Sequence, residues 1–386
     1  MVKGHLIFGL DVGTHSIKAL VVLKKPQEKD LEIISQAEIK NIGMRKGVVI
    51  NSNEVSEKII EAVSICKQGL DRKIGSVITS INGSHLLFLP GKGLVSVSRA
   101  DQKISEADIE RAFQASRSGV SLSANQEILE VFPQEFIIDG QLGIKDVEGL
   151  RGIRLEVKTL CLVAFSLYLK NLSDSVLGAD LEIEHILPSV IASSQSVLDQ
   201  EEKESGVALI EIGAGTTSLA VFEEGNLVDA MVFPIGSNNI TNDIAIILKT
   251  EIEEAENIKK SFTGFSLKES RKTISKIIEA RTKEIFNEVN KELKRAGKTK
   301  LPAGIVLTGG GANLSKIVDF AKKELKLHCR LGLPKGFSPE INDPSWSTVC
   351  GLVLDGAKTF EGEDNLLFSG KGIFRKIKSI FQIFNP

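Results

Sequence analysis

Gly206-Val-Ala-Leu-Ile-Glu-Ile-Gly-Ala-Gly-Thr-Thr-Ser-Leu-Ala-Val-Phe222 opens the second half of the chain. It reads as a strand, a glycine turn and a second strand, with apolar and β-branched residues on both sides of the glycines. About 200 residues upstream the same order occurs: a strand over His5–Leu10, the turn Asp11-Val-Gly-Thr-His-Ser16, and a strand over Ile17–Leu23. Two copies of one supersecondary unit predict an internally duplicated α/β protein.

The turns also carry chemistry. Glycine lets a backbone approach a phosphate without steric cost, and exposed turn N–H groups form an anion-binding nest. The hydroxyls of Thr14, Ser16, Thr216 and Thr217 can donate to phosphate oxygens, and Lys18 offers a point charge. Asp11 is suited to hold the hydration shell of magnesium, a hard cation that takes oxygen ligands. One such turn is equally well a ligand-free strand connection. The second copy favours a nucleotide clamped between two lobes.

Two further pieces fit. In Ile305-Val-Leu-Thr-Gly-Gly-Gly-Ala-Asn-Leu314 an apolar strand runs into Gly309, Gly310 and Gly311, where backbone can lie flat against a purine or ribose. The plainer reading is a tight strand-to-helix connection. Glu256 and Lys259 share one helix face and could grip ribose hydroxyls. For that pair alone, a solvated surface ion pair is the favoured reading.

Around these motifs the pattern is ordinary. A strand at 32–40 precedes a helix from Ser52 to Gly69, opened by a Ser52-Asn-Glu-Val cap, and a strand at 74–81. Residues 84–159 form a mixed segment, with a helix opened by Ser105 and strands near 94–98, 131–138 and 155–159. It reads as an insertion, because a strand over Leu160–Ala164 resumes the α/β pattern. Residues 237–296 are mostly helical, and a glycine-punctuated linker runs from 356 to 370.

The last segment, 371–386, is an amphipathic helix. Ile373, Phe374, Ile377, Ile380, Phe381 and Phe384 cover roughly a third of its circumference. Lys371, Arg375, Lys376 and Lys378 mostly face away, with no acid among them. Such a segment lies in the headgroup plane of an anionic bilayer. Half-burial of six large apolar side chains gives roughly 4–8 kcal/mol, and basic residues add about 1 kcal/mol each. The alternative is a helix docked on the protein's own core.

Composition bounds the function. The chain has 386 residues, 42% hydrophobic and 25% charged, with a net charge of −2, which argues against a nucleic-acid binder. The four cysteines (66, 161, 329, 350) are scattered, as expected of buried thiols in a reducing compartment. No run approaches the roughly 18 apolar residues needed to span a bilayer. The start reaches Asp11 too early to hold a secretory core, so a cytoplasmic body is expected.

In this order the elements resemble the actin, sugar-kinase and DnaK superfamily, and within it the FtsA family of bacterial cell-division actin homologues. The resemblance rests on Gly9–Thr14, Gly47–Val49, Leu187–Leu198, Gly206–Phe222, Pro234–Ile244, Gly304–Gly311 and the tail. It implies an α/β, actin-like two-lobed ATPase fold of duplicated ribonuclease-H-like domains, with an inserted small α/β subdomain and a C-terminal amphipathic helix. The expected division is 1–83 with 160–205, the insertion 84–159, a second lobe 206–355, the linker 356–370 and the foot 371–386.

It further implies ATP with magnesium, held by Asp11, Gly13, Thr14, Lys18, Gly213, Gly215, Thr216, Gly310 and Gly311. Ser16, Glu211, Thr217, Gly236, Glu256, Lys259 and Gly309 complete the expected set, with Asp11 and Glu211 at the Mg2+. Implied partners are the C-terminal peptide of FtsZ, further copies of the chain in a head-to-tail polymer, anionic inner-membrane lipids and other division proteins. The peptide would bind the lobe carrying residues 245–300, with Arg281 as a basic contact; a helix-surface ion pair is an equal alternative for Arg281. The implied location is peripheral, on the cytoplasmic face of the inner membrane at the septum.

Three departures matter. Glu211 stands where the superfamily usually has aspartate, Ala214 replaces a common glycine and Ser218 a common aspartate. Between 187 and 198 no carboxylate is placed to orient an attacking water, Gln195 being the one polar amide there. Slow or absent hydrolysis is therefore expected. A sugar-kinase-type phosphotransferase would need a general base that the sequence does not offer. A pilus-assembly scaffold of the same fold would not be expected to carry the cationic tail.

Overall fold

The computed structural model describes residues 4–26, 28, 30–68, 70, 74–262, 269–337 and 339–361. The foot residues Ile373, Phe374, Arg375, Lys376, Ile377, Ile380, Phe381 and Phe384 lie outside them.

The chain begins with the antiparallel meander β1 (His5–Val12), β2 (Ser16–Lys24) and β3 (Leu31–Lys40). A two-residue ribbon follows, β4 (Met44–Arg45) with β5 (Val48–Val49), then α1 (Ser52–Lys67) and β6 (Ser76–Ile81). The cap of α1 is Asn51, one residue before the expected Ser52; its side chain accepts from the Glu54 N–H at 3.3 Å.

Next come β7 (Leu87–Ser96), α2 (Glu106–Gly119), β8 (Gln126–Ile138), β9 (Gln141–Ile144) and β10 (Arg154–Phe165). These four strands form a sheet of their own, ordered β7-β10-β8-β9. The separate strands expected at 155–159 and 160–164 are one strand, because pairing with β7 runs without a shift from Arg154 to Val163, while pairing with β8 continues across irregularities at Lys158/Thr159 and Leu162/Val163. From there α3 (Ser166–Leu177), β11 (Glu182–Pro188), α4 (Ser189–Val197) and α5 (Gln200–Ser205) lead into the second half.

The second half repeats the first. Its meander is β12 (Val207–Ile212), β13 (Thr217–Glu223) and β14 (Asn226–Phe233). Helices α6 (Ser237–Leu248), α7 (Ile252–Lys260) and α8 (Glu269–Arg295) precede β15 (Gly304–Thr308), a 3-10 turn at Gly310–Asn313, α9 (Ile317–Leu325) and β16 (Cys329–Leu331). A 3-10 turn at Pro344–Trp346 starts α10 (Ser347–Glu361). The sheet orders β11-β6-β1-β2-β3 and β14-β13-β12-β15-β16 are one topology used twice: an antiparallel meander extended by two parallel strands. The central β12 is buried at every position, which explains its unbroken apolar run apart from Glu211.

Residues 356–361, expected as linker, finish α10 instead. Gly356 marks a close approach of that helix to the first sheet, where an added Cβ would lie 2.6 Å from side-chain carbons of both Ile7 and Ile78. The middle sheet packs across both halves, with Phe132, Leu160 and Leu162 in one buried cluster with Leu227, Ala230 and Val232. Gln134 and Asn226 tie it to the second half: Gln134 Nε2 donates to the Val228 carbonyl at 3.0 Å, and Asn226 Nδ2 to that of Gln134 at 3.1 Å. All four cysteines are buried and unpaired. Among the described residues no helix is long and apolar enough to cross a membrane.

Candidate functional site

The two glycine turns close in the same way. In the first, the Gly13 N–H donates to the Ser16 carbonyl at 3.1 Å; in the second, the Gly213 N–H donates to that of Thr216 at 2.8 Å. Asn41, just past β3, holds the first turn by donating from Nδ2 to the Gly13 carbonyl and from its N–H to the His15 carbonyl, at 2.7 and 2.8 Å. The second is held by α6, whose Ser237 and Asn238 N–H groups donate to the Gly213 and Ala214 carbonyls, both at 2.9 Å. Gly236 caps α6 by donating its N–H to Asn239 Oδ1 at 3.1 Å.

The turns face each other. A Cβ added at Gly215 would lie 3.0 Å from Thr14 Oγ1 and 2.9 Å from Lys46 Cα. Only glycine admits that approach. Thr14 Oγ1 also accepts from the Gly47 N–H at 3.0 Å. Asn82, after β6, links the two halves: it donates to Ser189 Oγ at 2.8 Å and accepts from Ser218 Oγ at 3.3 Å.

Asp11 pairs across the hairpin with Lys18 and accepts from Ser80 Oγ at 2.7 Å. Burial pushes its carboxyl up to about 6; Lys18 and the Ser80 bond oppose this, while Glu211 and Glu38 add to it. Asp11 and Glu211 thus share one electrostatic environment. A desolvated, protonation-prone carboxylate at the cleft is one that a hydrated divalent cation would stabilise, so Asp11 fits a magnesium role. Glu211 does not. Its Oε1 accepts from Ser193 and Thr348 at 2.7 and 2.6 Å and its Oε2 from Ser189 at 2.5 Å, at 6% exposure. Three hydroxyls engage it, tying α4 and α10 to β12. Among the described residues no group of three or more histidine, cysteine or acidic side chains is placed to hold a metal by itself.

Other expected residues divide. Lys18 is buried and committed to Glu38 at 3.0 Å and Ser16 Oγ at 2.9 Å, with its ammonium 5.9 Å from the centre of the Trp346 ring. Ser16 in turn donates to Glu38 at 2.7 Å. Thr217 is fully buried, and its hydroxyl donates to the Ile235 carbonyl at 2.8 Å. Thr216 is 3% exposed at the turn itself.

Glu256 and Lys259 are not a solvated pair. Lys259 is buried, bonded to Glu256 at 2.7 Å and Thr241 Oγ1 at 2.9 Å, and Thr241 donates to Glu256 at 2.6 Å. The pair therefore packs α7 on α6 beside the second turn. His15 is close enough to be affected: burial and then Lys260 hold its imidazole below the ordinary range. Gly309 and Gly311 let their corner rest on the end of β12, where added Cβ atoms would meet Ile212 at 2.6 and 2.4 Å. Gly310 starts the 3-10 turn whose Asn313 Nδ2 donates to Asp343 at 2.9 Å, just before Trp346. Arg281, on α8, is bidentate to Asp243 of α6 at 2.6 and 3.0 Å and bonded to Glu284 at 2.6 Å.

Asn41, Asn82, Glu38, Thr348 and Trp346 were not legible as site residues. The one local signal was that both asparagines directly follow a strand.

Comparison with known proteins places this cleft in context. Residues 208–351 match the family model "Cell division protein FtsA", and residues 83–163 match "SHS2 domain inserted in FTSA". The chain is 34% identical over 378 residues to the cell division protein FtsA of Pseudomonas aeruginosa, covering 92% of this chain and 90% of that one. With the FtsA of Bacillus subtilis identity is 32%, covering 92% and 84%. Among solved structures, the PilM-PilN type IV pilus biogenesis complex superposes with a TM-score of 0.69 at 16% identity, covering 91% of this chain and 98% of that chain. MreB5 of Spiroplasma citri bound to AMPPNP gives a TM-score of 0.54 at 14% identity, over 92% and 97%. The fold is actin-like.

Proposed function

The chain belongs to the FtsA family of cell division proteins, and from that premise we propose that it is an ATP-binding, polymerising adaptor that links FtsZ to the cytoplasmic face of the inner membrane at the septum and helps recruit later division proteins. The carrying observation is the face-to-face packing of the two glycine turns at Thr14 and Gly215, with Asp11 between the lobes. A triphosphate bound there would meet turn N–H groups from both lobes, and binding would couple to the angle between them. The fold neighbour MreB5 was solved with AMPPNP, which supports a nucleotide in the equivalent cleft.

Magnesium, when bound with the nucleotide, would offset phosphate charge, with Asp11 holding its water shell. Hydrolysis is proposed to be slow. Gln195 is bound to Asp355 at 3.1 Å and to Lys358 at 2.9 Å, and Glu211 is engaged by three hydroxyls, so both are committed within the chain. A phosphate-release rate above about 1 per second would contradict this.

Attachment to the membrane rests on the cationic amphipathic sequence at 371–386. Polymerisation multiplies such feet and converts weak individual binding into avidity. Electron microscopy on an anionic lipid monolayer with ATP tests the whole reading. Filaments that need both ATP and residues 371–386 are expected; protein that coats the lipid equally well without the tail would overturn it.

A further inference from the structure

We propose that Lys46, at the tip of the β4–β5 ribbon, supplies the cation for the terminal phosphate of the bound nucleotide and makes the cleft prefer a triphosphate to a diphosphate. This rests on the nucleotide reading above and names a residue for it.

The argument begins with charge. Asp11, Glu38, Glu211 and Asp343 lie within electrostatic reach of one another or of Lys18. Lys18 is the cation among them, and it is already neutralised by Glu38. Lys259 pairs with Glu256 at 2.7 Å, and the exposed Lys260 lies 3.7 Å from the same carboxylate. Beyond the magnesium that would accompany the nucleotide, this inventory leaves the terminal phosphate without an uncommitted buried side-chain cation.

Lys46 is placed to supply a cation. Its side chain has no ion pair or hydrogen bond among the described residues, and the residue is exposed. Its backbone is wedged between the two turns: a Cβ on Gly215 would lie 2.9 Å from Lys46 Cα and 3.1 Å from its N, and the next N–H, from Gly47, donates to Thr14 Oγ1 at 3.0 Å. Lys46 and Gly47, with φ of 49° and 79°, form the two-residue loop of the hairpin, whose turn requires positive φ at both positions. The neighbouring Arg45 is in the ribbon ladder opposite Val48, whereas Lys46 is at the tip. A long flexible stem with three rotatable donors suits a phosphate whose position shifts with lobe closure. A diphosphate lacks the group that Lys46 would meet.

The test uses the full chain and titrates Trp346 fluorescence with a non-hydrolysable ATP analogue and with ADP, each with magnesium. Lys46→Met is expected to weaken the analogue about 10- to 100-fold, the range of a charge-assisted hydrogen bond, while leaving ADP within a few-fold. Lys46→Arg should restore most of the loss, and Arg45→Gln should change neither ligand. The inference is overturned if Lys46→Met affects both nucleotides equally, affects neither, or is reproduced by Arg45→Gln. Wild-type protein that binds neither nucleotide would instead overturn the nucleotide reading itself.

Discussion

Thr348 on α10 donates to Glu211 on β12 at 2.6 Å, so the last described helix is bonded to the one carboxylate of the second lobe's first strand. The same carboxylate takes Ser189 and Ser193 from α4. One acidic side chain thus fixes two helices against the base of the cleft. The substitution that looks from sequence like a damaged metal ligand is a structural clamp.

Glu211→Gln should be destabilising. Its amide nitrogen would face a hydroxyl that now donates to a carboxylate, leaving buried polar groups mismatched. A loss of about 1–3 kcal/mol is expected, read from urea unfolding of the apo protein. An unchanged midpoint would show that the clamp bears no load.

Asp11→Asn should have the opposite sign. The folded carboxyl titrates at about 6, above its ordinary value, chiefly because of burial. The folded state therefore holds this proton more tightly than the unfolded chain, and ionisation above about pH 6 opposes folding. The Asn variant should be more stable than wild type at pH 7–8, by about 1–3 kcal/mol, with the advantage fading as pH falls toward 4. Urea unfolding at several pH values without nucleotide measures it; a variant less stable than wild type at pH 8 would contradict the assignment.

His185 carries a second pH signature. Burial works against its charged form, but the Asp355 carboxylate 2.9 Å from Nδ1, helped by Glu130, raises it to about 10. Because the folded value lies above the unfolded one, the stabilisation is complete below about pH 6.5 and is lost as pH rises through about 10. Wild type should lose stability relative to His185→Gln across that window. Parallel stability profiles for the two proteins would remove His185 as the cause.

Gly215→Val tests the meeting of the turns. Its side chain would collide with Lys46 backbone and Thr14, forcing the lobes apart. Nucleotide affinity should drop at least about tenfold, a loss of roughly 1.4 kcal/mol. Trp346, the chain's one tryptophan, lies beside Lys18 and reports the titration. Wild-type affinity in this variant would mean that the turns need not touch.

Local pattern determined much of this protein. Alternating and continuous apolar runs around two glycine turns were enough to read the duplicated halves, and the sheets repeat one strand order as that reading requires. The family and the actin-like fold were legible through resemblance, carried by stretches from Gly9–Thr14 to the tail taken in order. Boundaries were less so: Gly356 reads as the start of a linker until its approach to Ile7 and Ile78 is seen.

What tertiary structure alone decided is who is paired with whom. Sequence places Lys18, Thr217, Glu211 and Arg281 near chemistry, but Glu38, Ile235, three hydroxyls and Asp243 claim them, and each claimant is distant in the chain. Lys46 emerges only because those claims leave it free. Hydrogen bonds and ion pairs saturate, so a side chain's availability depends on the whole packed neighbourhood, which no local spacing encodes.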